Sequence, residues 1–271
     1  MISRLSKLAI AILFFIGNNV VRGIRSLVGK DTRPTLVIIT YHAVKAPQTV
    51  HFEKQMNTLL KIGSPISLND GIHSLKSVCN IAVTFDDAYQ SVITNAIPVL
   101  QRKNIPATIF IPTGYLGSRP GWIKKNNHPY ASETVMTEAQ LKTLPDNLIT
   151  IGSHSVSHIN FNEIDKETAE KEIYESKLYL ENILNKNIIL FAAPFATLNE
   201  SILPVFKKAG YERVFLNIPT YPATKTDLYL LGRTSIEPTD WPIEYILKFK
   251  GAYQWLPWAI RFKRVLMLKN H

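Results

Sequence analysis

The 271 residues, 46% of them apolar, suffice for one large α/β domain or two small ones, and a lone cysteine, Cys79, excludes an internal disulfide. The net charge of +10 resides in the two ends: residues 1–33 and 244–271 each hold six Lys/Arg against a single acid, Asp31 and Glu244, and the stretch between them is neutral. Large apolar side chains lie among those charges, Ile10 to Ile16 at one end and Trp255 to Met267 at the other, which points to an anionic membrane surface and away from nucleic acid.

In chain order, residues 1–33 come first as a basic, apolar helical extension. Their apolar run is short for a spanning helix, and Gly17-Asn18-Asn19 offers no small-x-small cleavage site. An uncleaved amphipathic or signal-anchor helix, a cleaved signal and a buried helix all remain open. From residue 34 to 243, short apolar runs alternate with segments of helical period, as in parallel strands joined by crossover helices. Strands are expected at Leu36–Tyr41, Ile81–Phe85, Ala107–Pro112, Leu148–Gly152, Ile188–Ala192 and Arg213–Leu216, with a weaker one near Tyr229–Leu231. Helices are expected at His51–Ile62, Val92–Lys103, Glu138–Leu144, Lys166–Leu184 and Asn199–Ala209. Two long loops, 113–137 and 218–228, have the composition of binding loops or insertions. Residues 244–271 form a basic amphipathic tail in which Trp258, Phe262, Val265 and Leu266 recur at helical spacing. This pattern describes one α/β catalytic domain, barrel-like or open, between two basic helical extensions.

Two segments carry chemistry. Ile81-Ala82-Val83-Thr84-Phe85-Asp86-Asp87 delivers paired carboxylates at the C-terminal end of a strand, where ligands gather in parallel α/β folds. Adjacent carboxylates repel one another unless one binds a cation and the other works as a base; an isolated Asp-Asp is also an ordinary helix cap. The second segment, Leu148-Ile149-Thr150-Ile151-Gly152-Ser153-His154, ends a strand and is followed by His158 four residues on. Two imidazoles plus a carboxylate suit a divalent metal such as Zn²⁺ with positions left open for water and substrate. Both segments follow strands of one sheet, so the fold brings them to one face.

These stretches, with Ile105-Pro106-Ala107-Thr108-Ile109-Phe110-Ile111-Pro112 and Phe191-Ala192-Ala193-Pro194-Phe195, resemble the polysaccharide deacetylase family (NodB homology, carbohydrate esterase family 4) over residues ~36–235. The resemblance implies a distorted (β/α) barrel of about seven parallel strands. It implies Asp86 as general base, Asp87, His154 and His158 as ligands of a divalent metal, most often zinc, and hydrolysis of an N-acetyl group on an amino sugar. The Tyr89 backbone N–H would support the oxyanion, and the Pro194-Phe195 motif would border the site.

The departures are informative. Position 88 is Ala where the family usually has Gly, and Ala192-Ala193 stand where relatives often carry Arg or Tyr, an Arg there orienting the base. Arg233 could supply that charge from a later strand. The family's usual C-terminal catalytic His has no counterpart, because His271 is the only histidine after His158. His42, at the end of the first strand, is the expected replacement as general acid, as in glycan deacetylases of biofilm systems; His51, His73 and His128 are expected at the surface. Asp240-Trp241 could form a sugar platform or, in the case of Trp241, part of the core.

The function expected is deacetylation of a cell-envelope polysaccharide or lipid-linked amino sugar at the bacterial inner, cytoplasmic membrane, on a side left open. A metal-dependent amidohydrolase of other specificity and a weakened glycan-binding membrane protein are the alternatives. The tails argue against the first, and retention of both Asp, both His and His42 argues against the second.

Overall fold

The computed structural model describes residues 3–29, 35–69, 77, 79–196, 198–219 and 229–259. In chain order these contain α1 (Arg4–Leu27), β1 (Thr35–Tyr41), α2 (Thr49–Ile62), β2 (Ser64–Pro65), β3 (Cys79–Phe85), α3 (Ile97–Lys103), β4 (Ala107–Ile111), α4 (Glu138–Lys142) and β5 (Ile149–Ser153). They continue with α5 (Lys166–Leu184), β6 (Leu190–Ala192), α6 (Leu203–Lys208), β7 (Arg213–Leu216), β8 (Leu230–Gly232), β9 (Thr234–Ser235) and α7 (Pro242–Phe249). His73, most of the loop 218–228, and the tail residues Phe262, Val265 and Leu266 lie outside the described residues.

All strands pair in parallel in the order β8-β7-β6-β5-β4-β3-β1-β9, with β2 added on β3. The expected barrel is therefore present and nearly closed. Its closure comes from a segment whose second half was not foreseen: β8 pairs with β7 at one edge of the sheet and β9 with β1 at the other, and only Arg233 separates them. One bent strand thus carries the chain across the seam and places Arg233 at it.

Strand alternation sorts the side chains into two cores. Val37, Ile39 and Tyr41 of β1, with Val83 and Phe85 of β3, face outward onto helices such as α2, whose Phe52, Met56 and Leu59 recur at helical spacing. Leu36 and Ile38, with Ala82, Phe110, Leu190, Ala192, Phe215 and Leu231, fill the barrel interior. Local chemistry sets the helix ends: Asp165 caps α5 by accepting the Thr168 N–H at 2.8 Å, and Asn185 ends it in the left-handed conformation, φ 52°. The segment expected as one helix over Val92–Lys103 begins instead as a π-helical turn, Val92–Ala96, ahead of α3.

Gly152 faces the interior, where a Cβ would come within 2.5 Å of the Phe110 ring and 3.0 Å of the Leu190 carbonyl oxygen. Gly152→Val is expected to lower stability by about 1–3 kcal/mol through overpacking. Urea unfolding reads the loss as a lower midpoint at unchanged slope.

Helix α7 starts two residues before the tail boundary expected at residue 244 and packs on α2 and β1. Lys248, counted among the basic tail charges, is buried there and donates to Asp240 at 2.6 Å. Trp255 is buried and Trp258 exposed.

Candidate metal centre and active site

The site sits one step above the apolar interior, on the same inward register. Thr84 and Asp86 follow Ala82 at intervals of two, as His42 follows Ile38 and Thr40, His154 follows Gly152, and Arg233 follows Leu231. Periodicity two thus carries each strand from core to chemistry. The side chains border a cavity of about 520 Å³ lined by His42, Asp86, Asp87, His154 and His158, with Trp122, Tyr130, Asn217 and Glu237 around them.

Asp86 and Asp87 both end β3 but meet different partners. Asp86 accepts two hydrogen bonds from Arg233, Nη1 to Oδ1 at 2.6 Å and Nη2 to Oδ2 at 2.8 Å, and Nη1 also reaches Thr84 and Thr40 hydroxyls at 3.2 and 3.3 Å. The guanidinium is wholly buried and lies over the Phe110 ring. Burial, the largest single influence, would raise the Asp86 pKa, but the Arg233 charge and hydrogen bonds together with the His154 and His42 imidazoles outweigh it and hold the carboxyl below its ordinary value. Buried Asp86 is therefore a carboxylate at neutral pH, held in a fixed plane.

Asp87 turns away because the chain reverses there through left-handed backbone, φ 66° at Asp87 and 49° at Ala88. Such angles favour glycine, so Ala88, whose side chain is buried, holds a strained turn at the active site. The Asp87 Oδ1 lies 3.1 Å from His158 Nε2 and 3.6 Å from His154 Nε2, and it has no hydrogen-bond donor among the described residues. The ligand atoms of Asp87, His154 and His158 all fall within 4.8 Å of one another, and all three residues are buried. His154 Nδ1 lies 2.7 Å from the Ala192 carbonyl oxygen, which turns a free Nε2 lone pair toward the cluster. Burial first, then the nearby His158, lowers the His154 pKa to about 4, so the ring is neutral and able to ligate. An orphaned carboxylate oxygen facing two imidazole nitrogens fits a divalent cation.

The two imidazoles converge because α5 clamps their loop. Glu172 accepts the Val156 and Ser157 N–H groups at 2.8 and 2.9 Å and the Ser157 hydroxyl at 2.5 Å. Ser155, φ 66°, accepts the His158 N–H on its hydroxyl at 3.0 Å, and His158 itself is left-handed at φ 54°. Glu172 escaped the sequence reading because it lies in a charged helical run that looks like a solvated face.

His42 lines the same cavity. Its ring stacks on Tyr130 at 5.6 Å, its Nδ1 is buried without a hydrogen-bond partner among the described residues, and Tyr130 donates to Glu237 at 2.8 Å. The long loop 113–137 supplies Tyr130 and also Trp122, whose ring stacks on His158 at 4.2 Å. It adds Lys124, Lys125 and an exposed His128, so this loop builds one side of the cavity wall. Asn217, two residues beyond Phe215 on the inward face, buries an unpartnered Oδ1 in the lining. Continuing the β7 alternation past Leu216 would have identified it.

Other expected residues fall in different places. The Tyr89 side chain is buried beside Trp122 and Tyr130, and burial followed by the Asp87 charge pushes its hydroxyl pKa up. Its backbone pairs with Val135 between the flanking bonds Gln90 N–H to Thr134 and Met136 N–H to Ala88, which leaves the Tyr89 N–H directed away from that segment. Phe195, φ 58° and half exposed, lines the cavity with its ring 5.0 Å from His158; Pro194 is buried behind it. Asp240 and Trp241 do not reach the cavity. Asp240 binds Lys248 and the Glu237 N–H, and Trp241 stacks under Arg4 at 4.3 Å, so the sugar platform expected there is replaced by a helix contact.

Residues 76–214, just over half of the chain, match the family model described as polysaccharide deacetylase. The chain is 26% identical over 158 residues to YxkH of Bacillus subtilis (strain 168), covering 58% of this chain and 52% of that one. It is 29% identical over 145 residues to the poly-beta-1,6-N-acetyl-D-glucosamine N-deacetylase of Staphylococcus aureus (strain MRSA252), covering 50% and 47%. It thus spans about half the length of the curated relatives it matches. Its fold is similar to that of IcaB from Ammonifex degensii, TM-score 0.69 at 19% identity, over 80% of this chain and 98% of that one.

Proposed function

Since the chain belongs to the polysaccharide deacetylase family, we propose that it hydrolyses the N-acetyl group of an amino sugar in a cell-envelope polysaccharide or lipid-linked glycan, close to a membrane surface. The observation that carries this reading is the division of labour between Asp86, charged and clamped by Arg233, and Asp87, grouped with the His154 and His158 imidazoles.

Asp87, His154 and His158 would hold a divalent metal such as Zn²⁺, which would supply Lewis acidity toward the acetamide carbonyl and make water acidic enough to attack at neutral pH. Asp86 is the general base that takes the proton of the attacking water, and Arg233 is the positioning residue that keeps its carboxylate ionised and in plane. The Tyr89 N–H supports the oxyanion as it develops. His42, in the wall of the same cavity, donates the proton that the amine needs in order to leave. Trp122, Phe195 and Tyr130 offer apolar faces to a pyranose ring and exclude water from one side. The catalytic unit corresponds to the expected domain from residue 34, extended through α7.

The alternative of a weakened glycan binder is disfavoured by the same geometry, because a binding site has no use for a clamped base beside a ligand triad. The S. aureus relative suggests a β-1,6-linked N-acetylglucosamine polymer as the first substrate to assay. Purified protein is expected to release acetate from such oligomers, to lose this activity with chelator, and to lose it in Asp86→Asn and His154→Ala. Adding Zn²⁺ back should restore activity and raise the melting temperature, since ~100-fold excess over Kd adds about 2.7 kcal/mol to stability. Metal-dependent stabilisation with no acetate released from any N-acetylated glycan would overturn the deacetylase reading and favour another amidohydrolase.

A further inference from the structure

Helix α1 is 24 residues long, about 36 Å, and divides into two faces. Arg4, Leu8, Ala11, Phe15, Asn19 and Arg22 follow one another at helical spacing along one side, and the contacts assign that side to the barrel. Arg4 Nη2 and Nε donate to Glu244 at 2.5 and 2.9 Å, and its guanidinium covers Trp241. Ala11 is fully buried with Leu8 and Phe15 against Leu247, Ala252 and Tyr253, and Lys250 stands over the Phe15 ring at 5.1 Å. Near its end, Asn19 and Arg22 share a crevice with Thr35 and Cys79, the first residues of β1 and β3. Glu244 and Asp240 lie toward the mouth of the barrel and Thr35 toward its base, so α1 runs the length of the barrel wall.

The opposite face carries Leu5, Leu13, Ile16, Val20, Ile24 and Leu27, all exposed, from 53% at Ile16 to 88% at Leu27. This stripe extends the whole helix without an outward acid; α1 contains no Asp or Glu, and the exposed side chains Arg25 at one end and half-buried Lys7 at the other add positive charge. Such a stripe, basic at its ends and too long for a small groove, matches the surface of an anionic bilayer.

We propose that α1 is an interfacial helix that lies flat in the headgroup region of an anionic bilayer while its other face stays docked on the barrel. The barrel then lies on its side and its mouth opens along the membrane, not away from it. A spanning α1 of this length would reach across a ~30 Å hydrocarbon core, but it would have to carry Asn19, Arg22 and the docked barrel wall into lipid or break the Arg4–Glu244 pair. The assignment is independent of the deacetylase reading, since it uses none of the cavity residues.

The test uses the full chain with vesicles of phosphatidylcholine alone or with phosphatidylglycerol. Sedimentation with the anionic vesicles is expected, weakened at least tenfold by the double substitution Ile16→Glu/Val20→Glu and by high salt, with acetate release from a soluble oligosaccharide unchanged in that variant. Spin labels on single cysteines in a Cys79→Ser background then read depth. Labels at Leu13, Ile16 and Val20 should lie at one shallow depth, and labels at Phe15 and Asn19 should be shielded from lipid. A depth maximum at mid-helix with Phe15 and Asn19 also in lipid would overturn the proposal in favour of a spanning anchor. Absence of vesicle binding with the stripe labels already immobilised would overturn it as well. Immobilisation that grows with protein concentration would then identify a second copy as the occupant, and concentration-independent immobilisation would identify residues 260–271.

Discussion

Arg233→Met is expected to reduce kcat on an N-acetylated glycan by about 10²–10⁴, the range supplied by a general base, while leaving the metal bound. The guanidinium makes both hydrogen bonds that hold Asp86 and lies fully buried at the seam between β8 and β9. Without it, burial dominates the Asp86 environment and favours the protonated acid, which cannot accept a proton from water. Asp87, His154 and His158 touch none of the substituted atoms, so metal content by elemental analysis should stay at the wild-type value. Removing one partner of a buried ion pair also destabilises, by about 3–5 kcal/mol. The sign with pH follows from the depressed Asp86 pKa. The pair's contribution is complete above the unfolded carboxyl value, near 3.9, and is lost as pH falls through the lower folded value. The stability gap between wild type and Arg233→Met should therefore be widest at neutral pH and narrow below about pH 4. Arg233→Lys keeps a charge but not the fork, and should recover part of the stability and less of the kcat. Equal kcat in wild type and Arg233→Met would remove Arg233 from the mechanism.

His42→Ala is expected to lower kcat on the amide by about 10²–10⁴ and to spare a substrate whose leaving group needs no proton. An amine leaves only when protonated, whereas the phenolate of an activated aryl acetate leaves unaided. The aryl ester should thus lose far less than the glycan in the same variant. The placement supports this role: the ring lies in the cavity wall, positioned by its stack on Tyr130, and among the described residues no carboxylate ties up Nδ1. Stacking Tyr130 is in turn held by Glu237, so Tyr130→Phe should lower kcat modestly without changing metal content. Parallel losses on ester and amide would assign His42 to substrate binding and leave the proton donor unidentified.

The strands and the long helices were legible because each is a local pattern. Lys166–Leu184 coincides with α5 and Arg213–Leu216 with β7, since a capped amphipathic helix and a short apolar strand state their period within their own residues. The pair Asp86-Asp87 and the pair His154, His158 were legible for a related reason: each is contiguous, and parallel strands deliver their C-terminal ends to one face. What was not legible depends on residues far apart in the chain. Closure of the barrel by β8 and β9 needs β1 and β7 as neighbours, and a two-residue strand such as Thr234–Ser235 has no period to detect. Glu172, Tyr130 and Glu237 look like ordinary surface polar or aromatic residues until α5 and the loop 113–137 fold over the site. Asp240 and Trp241 show the converse, a suggestive dipeptide that the docking of α1 and α7 engages elsewhere.

The sequence by itself therefore determined the class of fold, the candidate Asp and His ligand segments and the basic, apolar character of the ends, because these follow from composition, period and spacing along one chain. Only the tertiary structure decided that Arg233 meets Asp86 in a buried ion pair, and that the first helix lies docked with its apolar side outward. A buried guanidinium 147 residues from its carboxylate is specified by the closure of the sheet, and no local pattern encodes that closure.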